Sequence, residues 1–183
     1  MSDLRKVLFV GIGNMGWPMA ARLIAAGFEL KVSDVQASRA AEFAGQVGGV
    51  AIGNLPEAAA QSDLVITMLP TSRQVADVVA AARAGLKRGQ LVVDMSSGAP
   101  AATRAIADDL ATIGVSVVDA PVSGGVSRAV TGELAIMTGG DPAALDRVEP
   151  LLRAMGTTIH RIGPVGAGQA MKALTIWCQR AAS

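Results

Sequence analysis

Gly11, Gly13 and Gly16 follow directly on the apolar run Val7-Leu8-Phe9-Val10, and a carboxylate, Asp34, closes the next apolar run. Glycines at these intervals suit the binding of a phosphate. Gly11 permits a tight turn out of a strand, Gly13 lets a pyrophosphate approach bare backbone, and Gly16 lets the following helix pack close with its N-terminal N–H groups toward the anion. The spacing predicts a dinucleotide cradle built from Gly11, Ile12, Gly13, Asn14, Met15 and Gly16. A strand before it, an Ala-rich helix from Pro18 to Ala26 after it, and a second strand from Leu30 to Asp34 distinguish it from a glycine-rich surface turn.

Asp34 bears on which dinucleotide is taken. A carboxylate at the end of the second strand accepts hydrogen bonds from ribose hydroxyls and repels a 2′-phosphate, so NAD is favoured and NADP stays admissible. Two other readings remain open. Arg39 is close enough in sequence to offer a phosphate its guanidinium, and Asp34 can instead cap a helix that starts near Ala37.

These residues must be carried on a regular scaffold. Strands are predicted near 6–10, 30–34, 49–52, 63–68, 91–94, 115–119, 133–137 and 157–161, and helices fill the gaps, among them 72–83, 99–112 and 141–155. Such alternation calls for an α/β fold, a doubly wound, mostly parallel sheet covered on both faces. The segment from Ala135 to Gly140 suggests a hairpin-like departure from strict alternation. Ligands of such sheets sit beyond the C-terminal strand ends. The loops Met68-Leu69-Pro70-Thr71-Ser72, Asp94-Met95-Ser96-Ser97-Gly98 and Asp119-Ala120-Pro121-Val122-Ser123-Gly124-Gly125 therefore draw attention. In the last of them Pro121 forces an extended approach, and Ser123 with the Gly124 and Gly125 amides can form a concave donor set for a small carboxylate, or else an ordinary Ser-Gly-Gly turn.

Composition narrows the function classes. The chain has 183 residues, 51% hydrophobic and 17% charged, enough for one well-buried domain and short for two. Net charge is +1 and the 16 basic residues are scattered, so no polyanion-binding face is expected. Aromatic residues make up 3% and tyrosine is absent, which removes the stacking platforms that single-stranded nucleic acid needs. Arg5 and Lys6 precede an apolar stretch that glycines interrupt too soon for a signal peptide, and no segment has the length of a membrane span. Cys178 is the sole cysteine, so no intrachain disulfide can form, and a cytoplasmic setting is expected. No metal site is expected, and Cys178 reads as chemically idle.

The loops together resemble the β-hydroxyacid dehydrogenase family, which includes 3-hydroxyisobutyrate dehydrogenase and tartronate semialdehyde reductase. The matching segments are Phe9 to Met19, Ile66 to Ser72, Asp94 to Pro100, Asp119 to Gly125, Gly132 to Asp141 and Gly163 to Lys172. The resemblance covers nearly the whole chain through Leu174. It implies hydride transfer between NAD(P) and a small 3-hydroxy acid, and a homo-oligomer for a full-length form. Carried over residue by residue, it places Met68, Leu69, Pro70 and Gln74 beside the cofactor, Gln74 standing where asparagine often occurs, and Ser97 near the nicotinamide ribose. It assigns Ser123, Gly124 and Gly125 to the substrate carboxylate and Lys172 to catalysis.

Oxidising an alcohol requires removal of the hydroxyl proton as hydride leaves carbon, and reduction requires a donor at the same oxygen. A lysine serves readily as donor and needs desolvation or a positive neighbour to serve as base. Gly168, one turn earlier on the same face, is expected to leave space above the ammonium for substrate and nicotinamide. Other chemistries fit poorly: a short-chain reductase needs a tyrosine, and His160 reads as a structural strand residue. A non-catalytic NAD-binding module and an interaction protein on the same scaffold are the alternatives. Of these, the latter would show no saturable NADH signal from Trp17, placed in the glycine loop.

The family continues after Lys172 with an asparagine pair and then an all-helical domain, whereas this chain has Thr175 and Ile176. The expected organisation is a dinucleotide-binding domain over 1–163 and the start of an inter-domain helix over 164–183. With one extra adenine in front, a back-translated Thr175 to Ser183 reads Asn-Asn-Leu-Val-Ser-Ala-Gly-Gly-Ile, so a shifted frame is the expectation for this tail. Exposed apolar surface near Leu174, Ile176 and Trp177 is expected to favour self-association.

Overall fold

The computed structural model describes the backbone of residues 4–181 and the side chains of residues 4–178. Residues 182 and 183 of the tail read as frame-shifted lie outside the described residues. In chain order the elements are β1 (Lys6–Val10), α1 (Gly16–Ala25), β2 (Glu29–Ser33), α2 (Ala37–Gln46), β3 (Val50–Ala51), α3 (Leu55–Ala60), β4 (Leu64–Thr67) and α4 (Ser72–Ala82). There follow β5 (Leu91–Asp94), α5 (Pro100–Ala111), β6 (Ser116–Asp119), β7 (Val122–Ser123), α6 (Gly125–Thr131), β8 (Leu134–Gly139), α7 (Pro142–Met155), β9 (Gly156–Gly163) and α8 (Ala167–Ala181).

The strands of the described residues form one nine-stranded sheet in the order β3-β2-β1-β4-β5-β6-β8-β7, with β9 paired to β8. From β3 to β6 every pairing is parallel. The central strands read as unbroken apolar runs because both faces are covered: all four residues of β4 and of β5 are buried. Alternate side chains divide the core. Val7, Phe9, Ile66 and Val93 meet Met19, Leu23, Phe43 and Val148 on one face. Leu8, Val10, Val65 and Val92 meet Ala58, Val75, Val79 and Leu110 on the other.

Helix starts are set by local chemistry. Asn54 accepts from the Glu57 amide, Thr71 from Gln74, and Asp141 from Ala143 and Ala144, with proline in the first turn after Asn54 and Asp141. The predicted elements fall within a few residues of these bounds. The sheet departs from strict alternation at its far side. There β8 runs antiparallel to β6 and β7 before β9 returns parallel to it. The short β7 has no counterpart among the predicted strands, and the seven-residue α6 falls in a gap for which the sequence gives no helix bounds. The segment Gly125–Thr131 opens on glycine and is too short and too β-branched to show a helical period.

Among the described residues no helix is long and apolar enough to cross a membrane. Leu174 and Trp177 on α8 are 53% and 68% exposed.

Candidate cofactor groove and the helix that carries Lys172

The strand order reverses between β1 and β4, and a groove of about 830 Å³ opens where their C-terminal ends part. Its floor is the glycine loop. Gly11 has φ +101°, and a Cβ there would lie 2.2 Å from the Met68 carbonyl oxygen. A Cβ on Gly16 would lie 1.8 Å from the Gly11 carbonyl oxygen, so bare backbone at both positions lets β1, β4 and α1 converge. Gly13 differs, because a Cβ there would meet nothing within 4 Å. The space it faces is open groove, which fits a pyrophosphate lying against the loop at the positive end of α1.

Asp34 closes one side. Its Oδ2 accepts from the Ile12 amide at 2.8 Å and its Oδ1 from the Gln36 amide at 2.9 Å. The N-cap of α2 is Gln36, so Asp34 shapes the turn before the helix and does not occupy the cap position itself. Arg39 also faces the groove; its Nε donates to the Ile12 carbonyl, and its guanidinium carbon lies 5.5 Å from the centroid of the Trp17 ring. Trp17 is thus on α1, not in the glycine loop, and stands edge-on to Phe43 at 5.1 Å.

Met68, Leu69, Pro70 and Gln74 line the opposite wall. Thr71 caps α4 through the Gln74 amide and donates to Gln74 Oε1 at 3.0 Å. One groove therefore brings together Gly11, Gly13, Asn14, Met15, Gly16, Asp34, Met68, Leu69, Pro70 and Gln74. The Ile12 side chain instead points into the core, and only its backbone serves the loop.

Ser97, Ser123, Gly124, Gly125 and Lys172 lie outside that groove, the first four at or after the ends of β5 and β7 and Lys172 on α8. Ser97 is exposed in the loop after β5, Ser123 ends β7, and Gly124 and Gly125 take φ of +134° and +67° at the start of α6. The Arg128 side chain lies against Gly124. Lys172 is partly buried on α8, and that burial holds its ammonium below the ordinary lysine range.

A buried polar knot positions α8, and sequence reasoning missed it. Asp94 and Asp119 end β5 and β6 and are partners in register. Asp119 is fully buried; its Oδ1 accepts from the Gly166 amide at 2.7 Å and its Oδ2 from the Gln169 amide at 2.8 Å, which ties down the start of α8. Gln169 is also fully buried. Its Oε1 accepts from the Gly98 amide at 2.8 Å, and its Nε2 donates to the Ser96 carbonyl at 2.8 Å and to Asp94 Oδ2 at 3.4 Å. Asp94 Oδ1 accepts from the Thr67 hydroxyl at 2.9 Å and the Ser96 amide at 3.0 Å. Burial pushes both carboxyls above their ordinary value, against the pull of these donors. The available signal was a carboxylate closing each of two apolar strands, Leu91–Asp94 and Ser116–Asp119, where solvent is excluded.

Gly168, contrary to the expectation from its spacing, does not open space above Lys172: a Cβ there would lie 2.3 Å from the Met137 carbonyl oxygen and 2.8 Å from Asp119 Oδ2. Its bareness lets α8 sit directly on β8. His160 is exposed on β9, where its carbonyl accepts from the Thr138 hydroxyl.

A doubly wound sheet with a bare-glycine loop and an acidic residue at its switch point defines a dinucleotide-binding domain. The profile of the family described as the NAD binding domain of 6-phosphogluconate dehydrogenase matches residues 6–163, and the chain belongs to that family. It is 38% identical over 172 residues to the NAD-dependent L-serine dehydrogenase of Pseudomonas aeruginosa, covering 92% of this chain and 57% of that protein. It is 41% identical over 173 residues to a probable 3-hydroxyisobutyrate dehydrogenase of Mycobacterium bovis, again 92% of this chain and 57% of the relative. The structure of Mycobacterium tuberculosis 3-hydroxyisobutyrate dehydrogenase with L-serine superposes with a TM-score of 0.90 at 37% identity, over 94% of this chain and 59% of that one. The chain spans somewhat more than half the length of these relatives.

Proposed function

We propose that the chain is the cofactor-binding part of a dehydrogenase that moves hydride between a nicotinamide dinucleotide, NAD in preference to NADP, and a small 3-hydroxy acid. The observation that carries this is the shared placement of two features at the C-terminal strand ends. One is the groove with open Gly13 and Asp34; the other is α8, which presents Lys172 and is tied to the β5 loop. Relatives named for the oxidation of serine and 3-hydroxyisobutyrate support the substrate class.

When bound, the nicotinamide accepts or donates the hydride. Asp34 takes the adenosine ribose hydroxyls on the lone pairs that its backbone bonds leave free. Leu69, Pro70 and Gln74 border the cofactor, and Ser97 stands by the nicotinamide ribose. Ser123 with the Gly124 and Gly125 amides holds the substrate carboxylate. Lys172 takes the hydroxyl proton in oxidation and returns it in reduction, and its partial burial favours the neutral, accepting form.

These 183 residues alone bind cofactor and turn over little, because excluding water and fixing the acid at near-attack distance takes a second wall. Titration with NADH should give a saturable signal from Trp17, which reports through Arg39. Its absence would overturn the cofactor reading. Brisk NAD-dependent oxidation of 3-hydroxyisobutyrate or D-glycerate by this polypeptide, lost in Lys172→Ala, would overturn the claim of low turnover.

A further inference from the structure

The cofactor groove and α8 are joined through Ser96 by a run of hydrogen bonds that is buried at Gln169 and partly buried at its two ends. Leu69 lines the groove, and its amide donates to the Ser96 hydroxyl at 2.9 Å. The Ser96 carbonyl accepts from Gln169 Nε2, and Gln169 Oε1 accepts from the Gly98 amide on the far side of Ser97. A single side-chain amide therefore grips the loop both before and after Ser97. Lys172 follows Gln169 by three residues, just under one turn, so the two share a side of the helix. The amide is oriented unambiguously: its oxygen faces an N–H, and its nitrogen faces a carbonyl and a carboxylate. Glutamate would present the same acceptor and donor only when protonated. Leucine or methionine would fill the volume and leave the Gly98 amide and the Ser96 carbonyl unpaired.

We propose that Gln169 is a positioning residue that couples the wall of the cofactor groove at Leu69 to Lys172, through Ser96 and the loop to Gly98. The coupling rests on the cofactor reading given above. Occupancy of the groove displaces the Leu69 amide or fixes it, Ser96 follows, and Gln169 passes the change to α8, whose start is anchored independently by Asp119. Gln169 touches neither reacting atom; it sets where Lys172 stands relative to Ser97.

The test uses the 183-residue chain with its lysines reductively ¹³C-methylated. The Lys172 methyl signal is assigned by its loss in Lys172→Arg and followed at fixed pH as NADH is added. In the parent chain the Lys172 signal moves on NADH binding, while those of Lys6, Lys31 and Lys87 stay in place. In Gln169→Met the NADH affinity stays within about threefold, and the movement of the Lys172 signal is lost. Ser96→Ala, which keeps the Ser96 carbonyl and removes the hydroxyl that meets the Leu69 amide and Asp94, loses it too and serves if Gln169→Met does not fold. A Lys172 signal that still follows NADH in both variants overturns the coupling, as does a parent chain that binds NADH with no Lys172 movement; in either case the cofactor reading stands. A parent chain that binds no NADH overturns both.

Discussion

Asp34 and Arg39 hold Ile12 from opposite sides. The carboxylate accepts from the Ile12 amide at 2.8 Å, and the guanidinium donates to the Ile12 carbonyl. A residue whose side chain is sealed in the core is thus clamped through its backbone by a negative and a positive group that both face the groove. Asp34→Ser removes the negative member and leaves Arg39 beside the ribose site. NADH binding should weaken about tenfold, and the preference for NADH over NADPH should narrow by at least as much. Fluorescence titration of both coenzymes checks this; an unchanged ratio would remove Asp34 from coenzyme selection.

The glycines of the loop should separate by readout. Gly16→Ala forces a Cβ to within 1.8 Å of the Gly11 carbonyl oxygen, and it should lower stability by about 3 kcal/mol. Gly13→Ala meets nothing within 4 Å. Its stability should stay within about 0.5 kcal/mol of the parent. NADH affinity should nonetheless fall about tenfold or more, because the new methyl occupies the approach of the pyrophosphate. Urea denaturation and NADH titration of the two variants read these effects independently.

Asp119→Ala leaves the Gly166 and Gln169 amides buried without their acceptor. Unfolding free energy should drop by about 2–5 kcal/mol, since each stranded donor carries its desolvation cost. Amide exchange should quicken first at the start of α8. Uniform quickening across the sheet would show that Asp119 supports the whole fold and not this junction.

Asp94 sets a pH dependence. Burial raises its carboxyl above the ordinary 3.8, so the folded chain holds this proton more tightly than the unfolded chain does. Its contribution to stability is therefore full below 3.8 and is lost as pH rises through the folded-state value. Asp94→Asn cannot titrate. The stability of the parent relative to this variant should fall as pH is raised from the carboxylate range toward neutrality, measured by urea denaturation at stepped pH. A relative stability that grew with pH would mean that the Thr67, Ser96 and Gln169 donors outweigh burial and favour the anion.

The groove was more legible in the sequence than the junction that carries Lys172. Gly11, Gly13, Gly16 and Asp34 announce themselves because the turn out of β1 and the end of β2 are local events, governed by which residues tolerate φ > 0 or close backbone approach. Gly168 shows where that style of reading fails. Its spacing from Lys172 suggested room for a ligand, yet the space is taken by the Met137 carbonyl and Asp119, neighbours only after β8 folds back antiparallel to β6. Trp17, on α1, makes contacts that are equally non-local. Its partners Phe43 and Arg39 belong to a different helix, and nothing in the glycine loop points to them.

By itself the sequence determined the alternation of strands and helices, the doubly wound sheet and the phosphate-binding turn. Each follows from the period of apolar residues and from turn chemistry within a few positions of the chain. Only the tertiary structure decided the antiparallel return of β8, the clamp on Ile12 and the tie between Gly98 and Gln169, which lie 71 residues apart. Buried carboxylates and amides choose partners by what is close in space once water is gone, and no local pattern records that choice.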